Sequence, residues 1–98
     1  MPAVNPSNPF NIVYHRLVVC DDIPKLPKEW KIKVRRAIEE RLVTRPDLYG
    51  KPLRRSLKGY RKLRVGDYRA IFRIEKKTVI IFIIQHRSIV YLAAEKRV

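Results

Sequence analysis

A β-hairpin is predicted by residues 62–72, Lys62-Leu63-Arg64-Val65-Gly66-Asp67-Tyr68-Arg69-Ala70-Ile71-Phe72. Apolar and charged residues alternate on both sides of Gly66-Asp67, and a two-residue connection that begins with glycine suits the primed turns that match strand twist. Because side chains alternate between the two faces of a strand, Lys62, Arg64 and Arg69 are expected to share one face. The other, packed face would carry Leu63, Val65, Tyr68, Ala70, Phe72 and Ile74.

The composition predicts one small domain with an anionic partner. Residues 1–9 contain three prolines, which favours a flexible tail, and residues 10–98 are expected to form a single domain. The 46% hydrophobic content of the whole chain is enough for one core. The formal net charge of +14 exceeds what solubility requires and costs stability through self-repulsion. Nucleic acid is the first candidate partner, and an anionic membrane surface or an acidic protein segment is the alternative.

Several classes of function find no support. The longest apolar run, Val79–Ile84, is too short to span a membrane, and the N-terminus does not resemble a signal peptide, so we expect a cytoplasmic protein. Cys20 is the only cysteine, which excludes an internal disulfide. The sequence has no GxxxxGK[ST], HExxH, CxxC or G-x-S-x-G motif, and we expect neither metal nor cofactor.

The predicted fold class is α+β, with an N-terminal strand, two helices of which the second is long, an antiparallel sheet and a short C-terminal helix. The apolar spacing around Trp30, Val34 and Leu42 is typical of an amphipathic helix. In chain order we expect a strand over Ile12–Val19, a short aspartate-capped helix within Cys20–Pro27, a helix over Lys28–Val43, irregular structure over Asp47–Pro52, the hairpin, a central strand over Thr78–Gln85, and a helix within Ile89–Arg97.

Positive charge is concentrated in one part of the chain. Residues 51–73 contain nine lysines and arginines but only one acidic residue, Asp67, which favours an anion-binding surface over a merely solvated one.

Cleavage of RNA through its own 2′-hydroxyl requires a base, cations for the charge that develops on the phosphate, and an acid for the leaving oxygen. Arginine and lysine supply the cations, and a lysine or tyrosine among them can transfer protons. The alternative is that Arg87 and Tyr91 only anchor the C-terminus.

The residues and the order of four segments resemble the RelE/ParE family of type II toxins, specifically its RelE-like branch of messenger-RNA interferases. The resemblance covers residues 12–97, and its matching segments are Leu26-Pro27-Lys28, Tyr49-Gly50-Lys51-Pro52-Leu53, Leu57–Arg69 and His86-Arg87-Ser88-Ile89-Val90-Tyr91. It implies a RelE-like fold with an antiparallel sheet that cups a basic cleft. It also implies a metal-independent endoribonuclease that cleaves mRNA in the ribosomal A site and is silenced by a cognate antitoxin, expected from the adjacent gene.

The resemblance also assigns roles to single residues. Lys62 and Arg64 match the basic pair before the turn, with Lys62 as the general base, and Arg69 matches a phosphate-binding arginine. Arg87 matches a second arginine that stabilises the transition state, and Tyr91 matches the tyrosine that stacks on or orients the substrate nucleotide.

One departure from the family pattern concerns Arg64, which stands where some members have lysine. Arginine cannot act as a base near neutral pH, so a phosphate-binding role is expected for it. Further RNA contacts are expected from Arg54, Arg55, Lys58, Arg61, Arg73 and His86, and Tyr91 and His86 are the alternatives to Lys62 as the acid or base. Two other readings stay open: a ParE-like inhibitor that binds DNA gyrase, and an RNA-binding relative that has lost catalysis.

Overall fold

The computed structural model describes residues 9–98, so the predicted tail lies outside the described residues except for Pro9. The strands are β1 (Asn11–Tyr14), β2 (Lys51–Pro52), β3 (Arg61–Val65), β4 (Tyr68–Glu75) and β5 (Thr78–His86). Helix α1 comprises a π-helical segment, Val18–Asp22, and the turn Ile23–Lys25; α2 comprises Lys28–Ala37 and a second π-helical segment, Ile38–Leu42. Helices α3 (Pro46–Tyr49) and α4 (Val90–Arg97) and the 3-10 turn Arg55–Leu57 complete the structure.

The five strands form one sheet in the order β1-β5-β4-β3-β2. The β1–β5 pair is parallel and the other pairs are antiparallel, so the sheet is mixed rather than purely antiparallel. The predicted α+β class is confirmed. The strand expected at the centre, β5, lies inside the sheet, but β4 is the middle strand.

Each face of the sheet carries its own hydrophobic cluster. Helices α1 and α2 cover one face, where Ile38, Leu42 and Phe72 are fully buried. Helix α4 covers part of the other face through Val90 and Ala94. This two-sided burial explains why β5 is apolar almost throughout instead of alternating.

A β-bulge adjusts the side chains of β5 to these two clusters. Ile71 pairs with Ile83 while Phe72 pairs with Ile81, which leaves Phe82 as the extra residue. Ile81 and Ile84, three positions apart, therefore both belong to the cluster under α1 and α2.

The hairpin prediction is confirmed. Gly66 has a φ of +59°, which favours glycine, and a Cβ built on it would lie 2.3 Å from an atom of the Trp30 ring. Backbone conformation and close approach therefore both require glycine here. The pairs Leu63–Ala70 and Arg64–Arg69 place the apolar and basic residues on separate faces, as alternation predicts.

The predicted strand over Ile12–Val19 is too long, because β1 ends at Tyr14 and Val18 lies in α1. Val18 is fully buried while Val19 is exposed, so the two adjacent valines reflect the turn of a helix and not a strand buried on both faces. The predicted aspartate cap is also wrong. Asp22 makes no cap hydrogen bond. Its side chain instead accepts one at 3.0 Å from the backbone N–H of Ile84, a residue of β5 that lies past Ile81, the last residue paired with β1.

Most of the segment expected to be irregular, Asp47–Pro52, has regular secondary structure. Pro46 occupies the first turn of α3, a position that suits proline because its missing N–H has no partner in a helix. Lys51 and Pro52 then form the edge strand β2, which pairs with Lys62 and Arg61 of β3. A single helical turn and a two-residue strand are too short for hydrophobic periodicity to reveal.

Candidate active site

Four cations line a cleft on the sheet face opposite α1 and α2. Lys51 pairs with Lys62 across β2 and β3, and Arg64 pairs with Arg69 across β3 and β4. Together with Tyr49 they line a cavity of about 170 Å³, which we call the basic cleft. Among residues 9–98 no carboxylate lines it, and like charges directly opposite each other destabilise a sheet. A bound anion would relieve that repulsion.

Arg69 is the buried cation of the basic cleft, with only 9% of its surface exposed. Its Nη1 donates hydrogen bonds to the carbonyl oxygens of Gly66 at 2.8 Å and Tyr68 at 2.9 Å. These bonds fix the guanidinium before any ligand arrives. A preorganised cation of this kind stabilises developing charge without reorganisation.

Arg87 is held by the same turn. Its backbone N–H donates to the carbonyl oxygen of Asp67 at 2.8 Å, and its Nε lies 3.7 Å from Asp67 Oδ1. Both side chains are more than half exposed, so the guanidinium remains open to solvent and to a ligand. The Gly66-Asp67 turn thus positions both arginines that the resemblance assigns to the transition state.

Tyr91 reaches the cleft from α4. Its ring packs against the cluster under α4, and Lys62 Nζ lies 5.5 Å from the ring centre. The position of α4 is secured by a buried ion pair, in which Arg97 donates to Asp22 at 2.8 and 3.1 Å and to the carbonyl oxygen of Phe82 at 3.0 Å. The structure therefore brings Lys62, Arg64 and Arg69 together in the lining of the cleft, with Tyr91 beside Lys62 and Arg87 beside the turn.

Two predicted RNA contacts lie on the other face of the sheet. Arg61 donates to the carbonyl oxygen of Gly50 at 2.9 Å, so its guanidinium supports the backbone between α3 and β2. His86 pairs with Tyr68, and their ring centres are 5.6 Å apart in an edge-to-face arrangement. The structure does not bring these two side chains to the basic cleft.

The remaining predicted contacts, Arg54, Arg55, Lys58 and Arg73, are not among the residues within 9–98 that line the cleft. Arg73 lies further along β4, where it pairs with Glu75 at 3.4 Å and lies 6.0 Å from the Tyr60 ring. Arg54, Arg55 and Lys58 are exposed around the 3-10 turn, and none of the three forms an ion pair within residues 9–98.

Two residues of the cleft, Tyr49 and Lys51, were not assigned to the site from the sequence. Lys51 contributes to the charge excess of residues 51–73, but only its pairing with Lys62 shows that it belongs to the cleft. Tyr49 is 46% exposed, and the guanidinium carbon of Arg41 lies 5.9 Å from its ring centre. The two residues flank Gly50, which is the one signal in the sequence that a tight approach occurs here.

A second, larger cavity lies on the opposite face. This apolar groove has a volume of about 460 Å³ and runs between α1, α2 and the sheet. Its lining includes Ile23, Leu26 and the exposed Ile32, with Lys31 and Arg35 at the same surface. Burial raises the pKa of Tyr14 in this groove, and the nearby Glu39 carboxylate adds a smaller effect in the same direction. The groove therefore offers an apolar surface beside Lys31 and beside Arg35, which is already paired with Glu39 at 2.9 Å.

Neither cavity contains the donor set of a typical metal site. In the part of the chain that the structure describes, no three His, Cys, Asp or Glu side chains are grouped so that they could share an ion. Within the same residues, no helix is both long and apolar enough to cross a membrane.

Comparisons with known proteins agree on one family. The sequence-family model of the ParE toxin of type II toxin–antitoxin systems, parDE, matches residues 14–91. The toxin–antitoxin complex RelBE2 from Mycobacterium tuberculosis contains a chain that is 31% identical to this one, with a TM-score of 0.75 over 87% of this chain and 99% of that chain.

More distant structures share the fold. The RelB–RelE antitoxin–toxin complex from Methanococcus jannaschii contains a chain at 22% identity, with a TM-score of 0.62 over 81% of this chain and 94% of that one. YafQ from E. coli strain BL21(DE3) is 20% identical, with a TM-score of 0.57 over 84% of this chain and 98% of its own. No match was found among curated protein sequences.

Proposed function

The chain belongs to the RelE/ParE superfamily of toxins from type II toxin–antitoxin systems, and we propose that it is a ribosome-dependent endoribonuclease that cleaves mRNA in the A site. In this proposal it acts in the cytoplasm without a metal ion, inhibits translation and arrests growth. The observation that carries the proposal is the basic cleft, which combines a preorganised arginine, a lysine beside a tyrosine ring, and no carboxylate.

The proposed reaction uses the substrate's own 2′-hydroxyl. Lys62, as the neutral amine, accepts the proton of that hydroxyl, and the oxygen forms a bond to the adjacent phosphorus. The bond to the 5′-oxygen breaks as that oxygen takes up a proton from water, which leaves a 2′,3′-cyclic phosphate, and Lys62 then releases its proton to solvent. Arg64, Arg69 and Arg87 stabilise the negative charge on the non-bridging oxygens, and Tyr91 stacks on the nucleotide.

The direct test is incubation of the purified protein with ribosomes that are translating a defined mRNA. We expect cleavage within the A-site codon, cyclic phosphate ends, and no cleavage of the same mRNA free in solution. Intact mRNA on ribosomes that carry a vacant A site would contradict the proposal.

A second candidate is inhibition of DNA gyrase, because the matching family model is that of a ParE toxin. This function requires binding to gyrase and no ribonuclease site. The two candidates are separated by a supercoiling assay run beside the ribosome assay. Inhibition of gyrase supercoiling without mRNA cleavage would move the assignment to this candidate, and neither inhibition nor cleavage would indicate an RNA-binding relative without catalysis.

We also propose that a cognate antitoxin, encoded by the adjacent gene, occupies the apolar groove. The structure of a relative at 31% identity is a toxin–antitoxin complex, and an amphipathic segment with an acidic residue would complement Ile32 and Lys31. Ile32→Lys should weaken antitoxin capture, while Val19→Lys, at an exposed valine outside the groove lining, should not. Equal capture by both variants would place the antitoxin elsewhere.

A further inference from the structure

We propose that Tyr49 and Lys51 form a second nucleotide subsite, in which Tyr49 stacks on a base and Lys51 binds the adjacent phosphate. This subsite lies across Lys62 from Tyr91. The inference rests on the proposed ribonuclease function, because it extends the path of single-stranded RNA through the same cleft.

The strand order places the two tyrosines on different sides of Lys62. Tyr91 packs against the cluster that contains Ile71 of β4 and Ile83 of β5, so its ring approaches Lys62 from that part of the sheet. Lys51 is the partner of Lys62 on β2, which is the edge strand on the opposite side. An RNA strand that runs from Tyr91 past Lys62 reaches Lys51 and Tyr49 next.

Exposure distinguishes Tyr49 from the tyrosines of the hairpin region. Tyr60 packs on Phe82 and Tyr68 packs on Trp30, with ring centres 5.0 and 5.1 Å apart. Tyr49 has no such aromatic partner within residues 9–98; it remains 46% exposed and lines the basic cleft. An accessible ring beside backbone-binding cations is the arrangement that proteins use to hold single-stranded nucleic acid.

Two contacts of Gly50 fix the position of the backbone between Tyr49 and Lys51. A Cβ on Gly50 would lie 2.2 Å from the Phe72 ring, so only glycine allows the chain to approach this closely. Arg61 Nη1 donates to the Gly50 carbonyl oxygen at 2.9 Å and ties the segment to β3. This contact gives Arg61 a positioning role from the far face of the sheet, and it holds the subsite in place before RNA binds.

The first experiment measures the affinity of short oligoribonucleotides that carry 2′-O-methyl groups and so cannot be cleaved. With fluorescence anisotropy at low salt, we expect Tyr49→Ala to weaken binding of a trinucleotide about tenfold and of a dinucleotide much less, since each stacked base contributes about 1–3 kcal/mol. Tyr49→Phe should bind like the unaltered chain because it keeps the ring. The neighbouring exposed residue supplies the control, Leu48→Ala, which should also leave binding unchanged.

The second experiment tests the phosphate contact of Lys51. For a longer non-cleavable oligoribonucleotide, Lys51→Gln should reduce the slope of log K against log salt concentration by about 0.7, the value for one phosphate contact on a single strand. Lys28→Gln, at the exposed start of α2, should not change the slope. An unchanged slope for Lys51→Gln would overturn the assignment of Lys51.

The outcomes separate this inference from the function on which it rests. If the unaltered chain cleaves mRNA on ribosomes and binds the trinucleotide, but Tyr49→Ala binds it equally well, the subsite is wrong and the ribonuclease function stands. If the unaltered chain neither cleaves mRNA nor binds the oligoribonucleotides, both proposals are overturned.

Discussion

Lys62 Nζ lies 5.5 Å from the centre of the Tyr91 ring, so the lysine of β3 and the tyrosine of α4 contact each other across the edge of the cleft. A protonated lysine held over an aromatic ring gains about 0.5–1 kcal/mol at an exposed site, which is enough to orient the side chain but not to immobilise it, and Lys62 must lose this proton before it can act as the base. A nucleotide base that stacks on Tyr91 therefore arrives directly beside the proposed general base.

Two substitutions of Tyr91 should distinguish the contribution of the aromatic ring from that of the hydroxyl group. We expect Tyr91→Ala to lower kcat/KM for mRNA cleavage about 5- to 150-fold, the range that corresponds to about 1–3 kcal/mol of lost stacking. Tyr91→Phe should retain most of the activity, because stacking and the contact with Lys62 need only the ring. Equal losses in both variants would instead assign the hydroxyl a part in proton transfer.

Lys62→Arg keeps the positive charge but removes the group that can accept a proton. Single-turnover cleavage on ribosomes should slow by about 10²- to 10⁴-fold, as is typical when a general base is lost, while ribosome binding is maintained. Lys76→Arg, in the turn between β4 and β5, serves as the matched control and should cleave normally. Near-normal cleavage by Lys62→Arg would move the base to another residue.

Asp67→Asn tests whether the turn orients Arg87. The ion pair is largely exposed, so its loss should leave the thermal unfolding midpoint unchanged. We expect kcat to fall about tenfold with little change in KM, because a misplaced transition-state contact slows chemistry more than binding. Asp47→Asn breaks the equally exposed pair with Arg45, at 3.6 Å, and should have no effect on kcat. A change in KM alone would argue that Asp67 acts on binding.

Arg97→Ala should be strongly destabilising. The side chain of Asp22 is fully buried and that of Arg97 is 10% exposed, and removal of one partner of a buried pair costs about 3–5 kcal/mol. Urea denaturation measures the loss, and Arg45→Ala is the exposed control that should leave the midpoint unchanged. If Arg97→Ala unfolds at the same urea concentration as the unaltered chain, α4 is held by its apolar contacts alone.

Local patterns in the sequence predict the hairpin and α2 well, because a two-residue turn and a repeat of apolar residues are short-range signals. Asp22 could not be assigned in this way. An aspartate before a proline is typical of a helix cap, and its actual partners, Ile84, Gln85 and Arg97, lie at the other end of the chain. Long-range pairing overrides local preference here.

The same contrast applies to the cleft. Lys62, Arg64 and Arg69 follow from alternation along the hairpin, whereas Arg61, which was expected among the RNA contacts, pairs with Phe72 on the packed face. Lys51 could not be placed in this way, because its strand has two residues and one of them is proline. Only the register with β3 shows that it stands opposite Lys62.

The parallel pairing of β1 with β5 has a consequence for the folding pathway. Asn11 pairs with Thr78, so the helices α1, α2 and α3 and the hairpin lie within the loop that this contact closes. Closure of so long a loop is entropically costly, and non-local contacts of this kind slow folding, whereas the turn at Gly66-Asp67 closes over two residues. We therefore expect the hairpin that carries the cleft to form early and the N-terminal strand to dock last, the reverse of their order along the chain.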